Sequence, residues 1–196
     1  MKNLNSAFKL STRQITVIGM MSAISIVMGL TGLGFIPFPT VKATIMHLPV
    51  IASAILEGPL VGAFVGLIFG LFSVYQNMTN PSLLSFAFLN PLVSVLPRIL
   101  IGITSFYAYK YMFSKSETVK ITVAAIVGSL TNTLGVLTMI FVLYAQKYAE
   151  LKKIDVSAVA KTIYGAIALP YGTVEALVSV AIIVPLVLAV NKLRHK

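Results

Sequence analysis

Three ionisable side chains lie within the long apolar stretches of this 196-residue chain: His47, Arg98 and Glu175. A charge placed in hydrocarbon is costly, so each should face a cavity, a partner or a ligand. The planar guanidinium of Arg98 suits bidentate contact with a carboxylate. We therefore interpret Arg98 as an anchor for an acidic solute, with an internal ion pair or a snorkelling arginine as alternatives.

Neutral polar groups add to this set. Asn90, Asn132 and Tyr171 lie within or at the edge of apolar stretches. Buried amides need hydrogen-bond partners, and an aromatic pocket with a few amides fits a small polar molecule. For Asn132, a helix-to-helix hydrogen bond is the alternative. Gln76 and Asn77 end an apolar stretch, and we expect loop solvation rather than binding for them.

The depth of the two opposite charges bears on whether they pair. Counted from Leu83 along one continuous helix, Arg98 would lie about 22 Å below the outer end. Glu175 follows Pro170 closely and is expected near the outer surface. The prediction is that Arg98 and Glu175 do not pair.

Several kinds of chemistry are excluded by missing motifs. The chain has no cysteine, so thiolate metal sites and cysteine nucleophiles are ruled out. It lacks a Walker A loop, a His-Glu-x-x-His helix and a Gly-x-Ser-x-Gly elbow. The net charge of +10 comes from residues that flank apolar stretches, not from an aromatic-interleaved patch. We expect a protein that is not an enzyme and has neither a cofactor nor a nucleic-acid partner.

The fold class follows from composition and length. Hydrophobic residues make up 58% of the chain and charged residues only 10%. A bilayer core of roughly 30 Å needs about 20 apolar residues as helix. The sequence predicts an all-α integral membrane bundle of six transmembrane helices, with residues 1–196 forming a single domain. The apolar stretches are Ile15–Leu33, Ala43–Leu56, Leu60–Tyr75, Leu83–Tyr109, Ile121–Ala145 and Ile163–Val190.

Lysine and arginine residues predict the orientation. Nine would lie on the side of the termini and five on the other, so both termini are expected in the cytoplasm. The nine are Lys2, Lys9, Arg13, Lys110, Lys115, Lys120, Lys192, Arg194 and Lys196; the five are Lys42, Lys147, Lys152, Lys153 and Lys161.

Glycine and proline mark the expected helix boundaries. Gly58-Pro59 predicts a tight inner turn that opens helix three, and Asn80-Pro81 predicts the N-terminus of helix four. The sixth membrane helix is expected to begin at about Pro170, after an outer segment with a short amphipathic helix. The loop Gly32–Lys42 is apolar and proline-containing; we expect it to be extended, either as a lid or as an interfacial connector.

Small residues recur at a spacing of four. Gly58, Gly62, Gly66 and Gly70 remove bulk from one face of helix three, which favours close packing within the bundle. In helix one, Gly19 and Ala23 have the same spacing. They could pack internally or form a surface for a partner subunit.

Four segments carry a family resemblance. They are Ala43-Thr-Ile-Met-His-Leu-Pro-Val-Ile51, the Leu-Glu-Gly-Pro-Leu-Val-Gly turn at 56–62, Gly-Leu-Ile-Phe-Gly-Leu at 66–71, and Asn90-Pro followed by Leu-Pro-Arg98. The chain resembles the S components of energy-coupling factor (ECF) transporters over essentially its whole length. Its Ala-Thr-Ile-Met-His-Leu-Pro segment looks most like the pantothenate-type subunits.

The resemblance implies a function and partners. Such subunits bind a vitamin outside a bacterial plasma membrane and dock on a transmembrane T component that carries two ATPases. The family's docking pattern on helix one is commonly Ala-x-x-x-Ala; here Val27 follows Ala23, so Gly19 and Ala23 are the expected docking positions. Pantothenate would match a site of His47, Asn90, Arg98, Asn132, Tyr171 and Glu175. Pyridoxine, folate or riboflavin, or a stand-alone facilitator, remain alternatives.

Overall fold

The computed structural model of the chain describes residues 10–37 and 42–194. Within these ranges the protein is a helical bundle, and five of its helical segments are long and apolar enough to cross a membrane. Three residues used in the analysis above, Lys2, Lys9 and Lys196, lie outside the described residues. The helices are α1 (Thr12–Thr31), α2 (Leu48–Glu57), α3 (Pro59–Thr79), α4 (Ser85–Phe88), α5 (Pro91–Ser94), α6 (Leu96–Tyr111), α7 (Glu117–Lys152), α8 (Val156–Ala160), a π-helical segment (Lys161–Ala168) and α9 (Leu169–Arg194).

A two-stranded hairpin replaces the extended loop between α1 and α2. Strands β1 (Phe35–Pro37) and β2 (Lys42–Thr44) pair antiparallel, with Phe35 opposite Thr44. The prediction of extended backbone is confirmed for these strands, while residues 38–41 lie outside the described part. The predicted all-α class is confirmed, since the described chain is otherwise built of helices and each strand has only three residues. Since α2 begins only at Leu48 and has 10 residues, it is much shorter than the long helices.

The glycine pattern of α3 packs against α6, as predicted. Pro59 is the first residue of α3, and Gly58 precedes it with φ of 103°. A Cβ on Gly62 would lie 2.9 Å from the Cα of Gly102, and one on Gly66 would meet the carbonyl oxygen of Arg98. Two helix backbones can approach this closely only where side chains are absent.

The predicted fourth helix is wrong as a single element. Residues 83–109 form α4, α5 and α6 in succession, and Asn80 is the C-terminal cap of α3 instead of an N-cap. The second Asn-Pro pair, Asn90-Pro91, does open a helix. The Asn90 side chain accepts a hydrogen bond of 3.0 Å from the Leu92 amide at the start of α5. Arg98 consequently lies in the first turn of α6, so the depth calculated along a continuous helix does not apply.

The last helix does not begin at Pro170. It continues without interruption from α8 through the π-helical segment into α9, giving 39 helical residues from Val156 to Arg194. Proline lacks an N–H and crowds the preceding turn of an α-helix. A π-helical turn, with its wider i→i+5 bonding, lets the helix pass through Pro170, and the Leu169 amide bonds back to Tyr164. The expected outer segment is therefore one arm of a helical hairpin formed with the end of α7.

Both ends of the described chain meet at Glu57. Arg13 at the start of α1 donates to the Glu57 carboxylate at 2.7 Å, and Arg194 at the end of α9 forms an ion pair with the same oxygen. Arg194 also donates to the Leu56 carbonyl at 2.9 Å. The start of α1 and the end of α9 thus lie on the same side of the bundle.

Two hydrophobic clusters fill the bundle. The first lies among α2, α3, α6, the start of α7 and the end of α9; it contains Val50, Ile51, Val65, Ile101, Ile121 and Ile183. The second joins α4 and α5 to the end of α7, α8 and the π-helical segment; it contains Ala87, Val93, Ile140, Tyr148, Val159 and Ile163. The first cluster reaches toward the Glu57 end, and the second lies at the opposite end.

Candidate functional site

A cavity of about 600 Å³ lies at the junction of the two clusters. Its volume is in the range of roughly 300–1,000 Å³ that is usual for small-molecule sites. The hairpin, the end of α3, the start of α6, the second half of α7 and the start of α9 all contribute side chains. It therefore lies at the end of the bundle opposite Glu57. Its polar and charged lining residues are Thr44, Ser73, Gln76, Asn77, Asn80, Ser82, Arg98, Asn132, Thr133, Tyr148, Lys152, Tyr171 and Glu175.

Arg98 is the buried cation of this cavity. Its side chain is 5% exposed, and one terminal nitrogen donates to the Val93 carbonyl at 2.9 Å. The guanidinium carbon lies 5.6 Å from the ring centroids of both Phe69 and Phe88. In the described part of the chain Arg98 forms no ion pair, and its Nε has no hydrogen-bond partner. The residue is thus positioned by aromatics and one carbonyl but not neutralised at close range.

Glu175 is the buried carboxylate of the cavity. One oxygen accepts from the Thr44 amide at 2.7 Å, and the other accepts from the Thr133 hydroxyl at 2.5 Å. The first bond joins α9 to the hairpin, and the second joins α9 to α7. The prediction that Arg98 and Glu175 do not pair is confirmed among the described residues, but both charges line the same cavity.

Asn132 and Tyr171 also line the cavity. Asn132 is 4% exposed, and its Oδ1 has no hydrogen-bond partner in the described structure. An unpaired buried acceptor is costly in an apolar interior, so the helix-to-helix alternative leaves this oxygen unexplained. Tyr171 lies in the first turn of α9. Together with Arg98 and Glu175, four of the six predicted site residues come together.

His47 and Asn90 do not line the cavity. His47 is fully buried at the N-terminus of α2, and its Nε2 lies 3.1 Å from the Ser179 hydroxyl. Asn90 caps α5 and donates to the Tyr144 hydroxyl at 3.1 Å, beside the kink in α7 at Tyr144. Internal hydrogen bonds account for Asn90 and for Nε2 of His47, while Nδ1 of His47 has no partner in the part of the chain that the structure describes.

Gln76 and Asn77 were underestimated from sequence, because both line the cavity. Gln76 donates to the Gly29 carbonyl at 3.1 Å, which connects the end of α3 to α1. The Asn77 side chain accepts from the Ser85 hydroxyl at 2.8 Å. The sequence did show that both residues lie at the end of a long apolar helix. A cavity at that end of the bundle is lined by the last turn of α3, so this position could have indicated them as lining residues.

The two predicted docking positions on α1 face outward. Gly19 and Ala23 are exposed, and a Cβ on Gly19 would meet no atom within 4 Å. Ser22 and Ser25, which are their near neighbours in sequence, point into the bundle. Among the long helical segments, α1 is the least buried: only 17% of its 18 most apolar consecutive residues are buried in the bundle.

Comparison with known families decides the assignment. Residues 13–187 match the family model described as "ECF transporter, substrate-specific component". This chain belongs to that family. The match covers every long helix that lines the cavity, so the resemblance found in the four sequence segments is confirmed for the chain as a whole.

Two curated relatives of this substrate-specific component are named as pantothenate transporters. The chain is 36% identical over 122 residues to "Pantothenic acid transporter PanT" of Lactococcus lactis subsp. cremoris; the match covers 55% of this chain and 60% of the relative. It is 34% identical over 116 residues to "Pantothenate transporter PanT" of Leuconostoc mesenteroides subsp. mesenteroides, covering 55% and 57%. The matches thus span less than two thirds of these relatives.

Proposed function

We propose that this chain is the high-affinity substrate-capture subunit of an ATP-driven ECF uptake transporter and that its substrate is pantothenate. Pantothenate has one carboxylate, an amide and two hydroxyls. Membership of the family, the names of the two relatives and the chemistry of the cavity support this proposal.

The burial of Arg98 without an ion-pair partner among the described residues supports this substrate most directly. A buried guanidinium without a carboxylate at close range is costly, and a bidentate carboxylate from a solute offsets that cost. Phe69 and Phe88 flank the guanidinium and hold it by cation–π contacts. In the proposed complex the pantothenate carboxylate binds Arg98, and its amide and hydroxyls bind Asn132, Tyr171 and Glu175.

The proposed topology has six crossings and both termini in the cytoplasm of a bacterial cell. The five long helical segments supply five crossings, and α2, with its flanking hairpin, supplies the sixth. The meeting of Arg13 and Arg194 at Glu57 supports an even number of crossings. The distribution of lysine and arginine supports the cytoplasmic assignment of that end. The cavity then opens to the outside.

Calorimetric titration of the detergent-purified protein with pantothenate, and then with the other B vitamins, tests the substrate. We expect pantothenate to bind with a Kd below about 1 μM, because a desolvated charge pair and several hydrogen bonds act together in a preformed cavity. Pyridoxine and riboflavin, which lack a carboxylate, should bind at least about 100-fold more weakly.

Each alternative gives a different result in this titration or its extension. Tight binding of another vitamin alone would replace pantothenate as the substrate. Pantothenate uptake into vesicles that contain only this chain would instead support a facilitator. The proposed function requires uptake only when the T component, both ATPases and ATP are present.

The outward face of α1 is the proposed docking surface for the T component. Gly19 and Ala23 lie one helical turn apart and leave this part of the α1 surface without large side chains. A leucine at position 19 would fill that space. We expect Gly19→Leu to reduce ATP-driven uptake at least about 10-fold, since close helix approach depends on small residues. Pantothenate binding to the isolated subunit should stay unchanged, because Gly19 does not line the cavity and a Cβ there would meet no atom within 4 Å.

Ala181→Leu is the matched control for this variant. Ala181 is also a small exposed residue on a long helix, but it lies on α9. Co-purification with the T component should be lost for Gly19→Leu and retained for Ala181→Leu. Equal loss for both variants would show that any added bulk disturbs the assembly and would remove the special role of α1.

A further inference from the structure

We propose that Glu175 determines the specificity of the cavity: it admits a monoanion that presents hydroxyl donors and rejects an anionic group at the substrate end away from Arg98. This inference rests on the proposed function and adds a selection rule to it. The rule separates pantothenate from the same molecule phosphorylated on its primary hydroxyl, which differs only at the end opposite the carboxylate.

The charges that line the cavity provide the first argument. They are Arg98 and Lys152, which are positive, and Glu175, which is negative, so the described lining has a net charge of +1. One substrate carboxylate brings this sum to zero. A second negative group would leave an uncompensated charge in a largely apolar space, where electrostatic interactions are strong.

The hydrogen bonds of Glu175 provide the second argument. Both of its oxygens accept, one from the Thr44 amide and one from the Thr133 hydroxyl. A carboxylate has about four acceptor positions, so about two remain for a ligand. Since Glu175 is 4% exposed and held from two sides, the carboxylate cannot swing into solvent to avoid an incoming anion.

Asn132 extends this acceptor surface. It precedes Thr133 on α7, lines the same cavity, and its Oδ1 has no partner in the part of the chain that the structure describes. The wall formed by α7 and α9 therefore has spare acceptors at Glu175 and Asn132, while Arg98 on α6 offers donors. A substrate with a carboxylate at one end and hydroxyls at the other fits this polarity in one direction.

The test compares pantothenate with its phosphorylated form by calorimetry on the full-length protein. Wild type should bind the phosphorylated form at least about 100-fold more weakly, because like charges brought together in a desolvated site are strongly repelled. Glu175→Gln removes the charge but keeps the shape and an oxygen that can accept from Thr44. We expect the affinities of this variant for pantothenate and for its phosphorylated form to differ by less than about 10-fold. Its affinity for pantothenate itself should be weaker than that of wild type.

Two controls separate charge in the cavity from other effects. Glu150 is an exposed carboxylate at the end of α7 and does not line the cavity. Glu150→Gln should therefore leave the ratio of the two dissociation constants, for the phosphorylated form and for pantothenate, unchanged. Pantothenate acetylated on the same hydroxyl has added bulk without charge, so Glu175→Gln should not improve its binding.

The outcomes distinguish this inference from the proposed function. If wild type binds pantothenate tightly but binds the phosphorylated form within about 10-fold, the selection rule is wrong and the proposed function stands. The same holds if a folded Glu175→Gln variant keeps the wild-type ratio. Failure of wild type to bind pantothenate at all would overturn both. If Glu175→Gln cannot be purified, wild type still tests the rule, which is wrong if the phosphorylated form binds no more weakly than the acetylated form.

Discussion

Replacement of Arg98 by alanine is expected to weaken pantothenate binding at least about 100-fold. Truncating one partner of a buried charge pair usually costs about 2–5 kcal/mol. Arg98→Lys should recover only part of the loss, because an ammonium lacks the planar fork of donors with which a guanidinium binds a carboxylate. Calorimetry on the three proteins measures both effects.

A neutral ligand shows whether the loss arises at the carboxylate. In pantothenol the carboxylate is replaced by a primary alcohol. We expect wild type to bind pantothenol weakly and Arg98→Ala to bind it no more weakly than wild type does. If the alanine variant loses affinity for both ligands by the same factor, Arg98 supports the cavity without contacting the carboxylate. Lys115→Gln, which removes an exposed cation between α6 and α7, is the control for net charge.

Replacement of Gly66 by alanine is expected to destabilise the protein by about 1–3 kcal/mol, the usual effect of overpacking a tight interior. The new methyl group would meet the backbone carbonyl of Arg98, and backbone cannot rotate away as a side chain can. Because the displaced residue is Arg98 itself, pantothenate affinity should fall together with the unfolding temperature. Thermal unfolding in detergent and calorimetry measure the two effects.

Gly165→Ala is the matched control. Gly165 lies in the π-helical segment, and a Cβ there would meet no atom within 4 Å. This variant should unfold at or above the wild-type temperature and bind pantothenate normally. A Gly66→Ala variant that behaves like Gly165→Ala would mean that α3 and α6 can separate without cost, contrary to their close backbone contact.

Sequence patterns predicted the features that depend on local chemistry. Apolar length predicted the long helices, Gly58-Pro59 predicted the start of α3, and the glycine spacing predicted close packing within the bundle, which occurs against α6. Each of these follows from chain geometry or from the absence of a side chain, so no knowledge of the neighbouring elements is needed.

The errors came from features that depend on neighbouring elements. An apolar run of helix-forming residues does not reveal that α4 and α5 are short helices that pack on the end of α7, so a depth counted along one continuous helix could not apply to Arg98. Pro170 looked like a helix start because the widened turns before it leave no sequence signal. His47 and Asn90 are of residue types that often bind ligands, but their side chains form hydrogen bonds with Ser179 and Tyr144.

The position of the cavity between two hydrophobic clusters also bears on folding cooperativity. Met46 and Phe69 of the first cluster and Val136 and Ile140 of the second both line it. Because the cavity lies between the two clusters, we expect the second cluster to open locally at a smaller free-energy cost than global unfolding. In the proposed complex the substrate would contact both clusters, so we expect unfolding to become more cooperative as substrate binds.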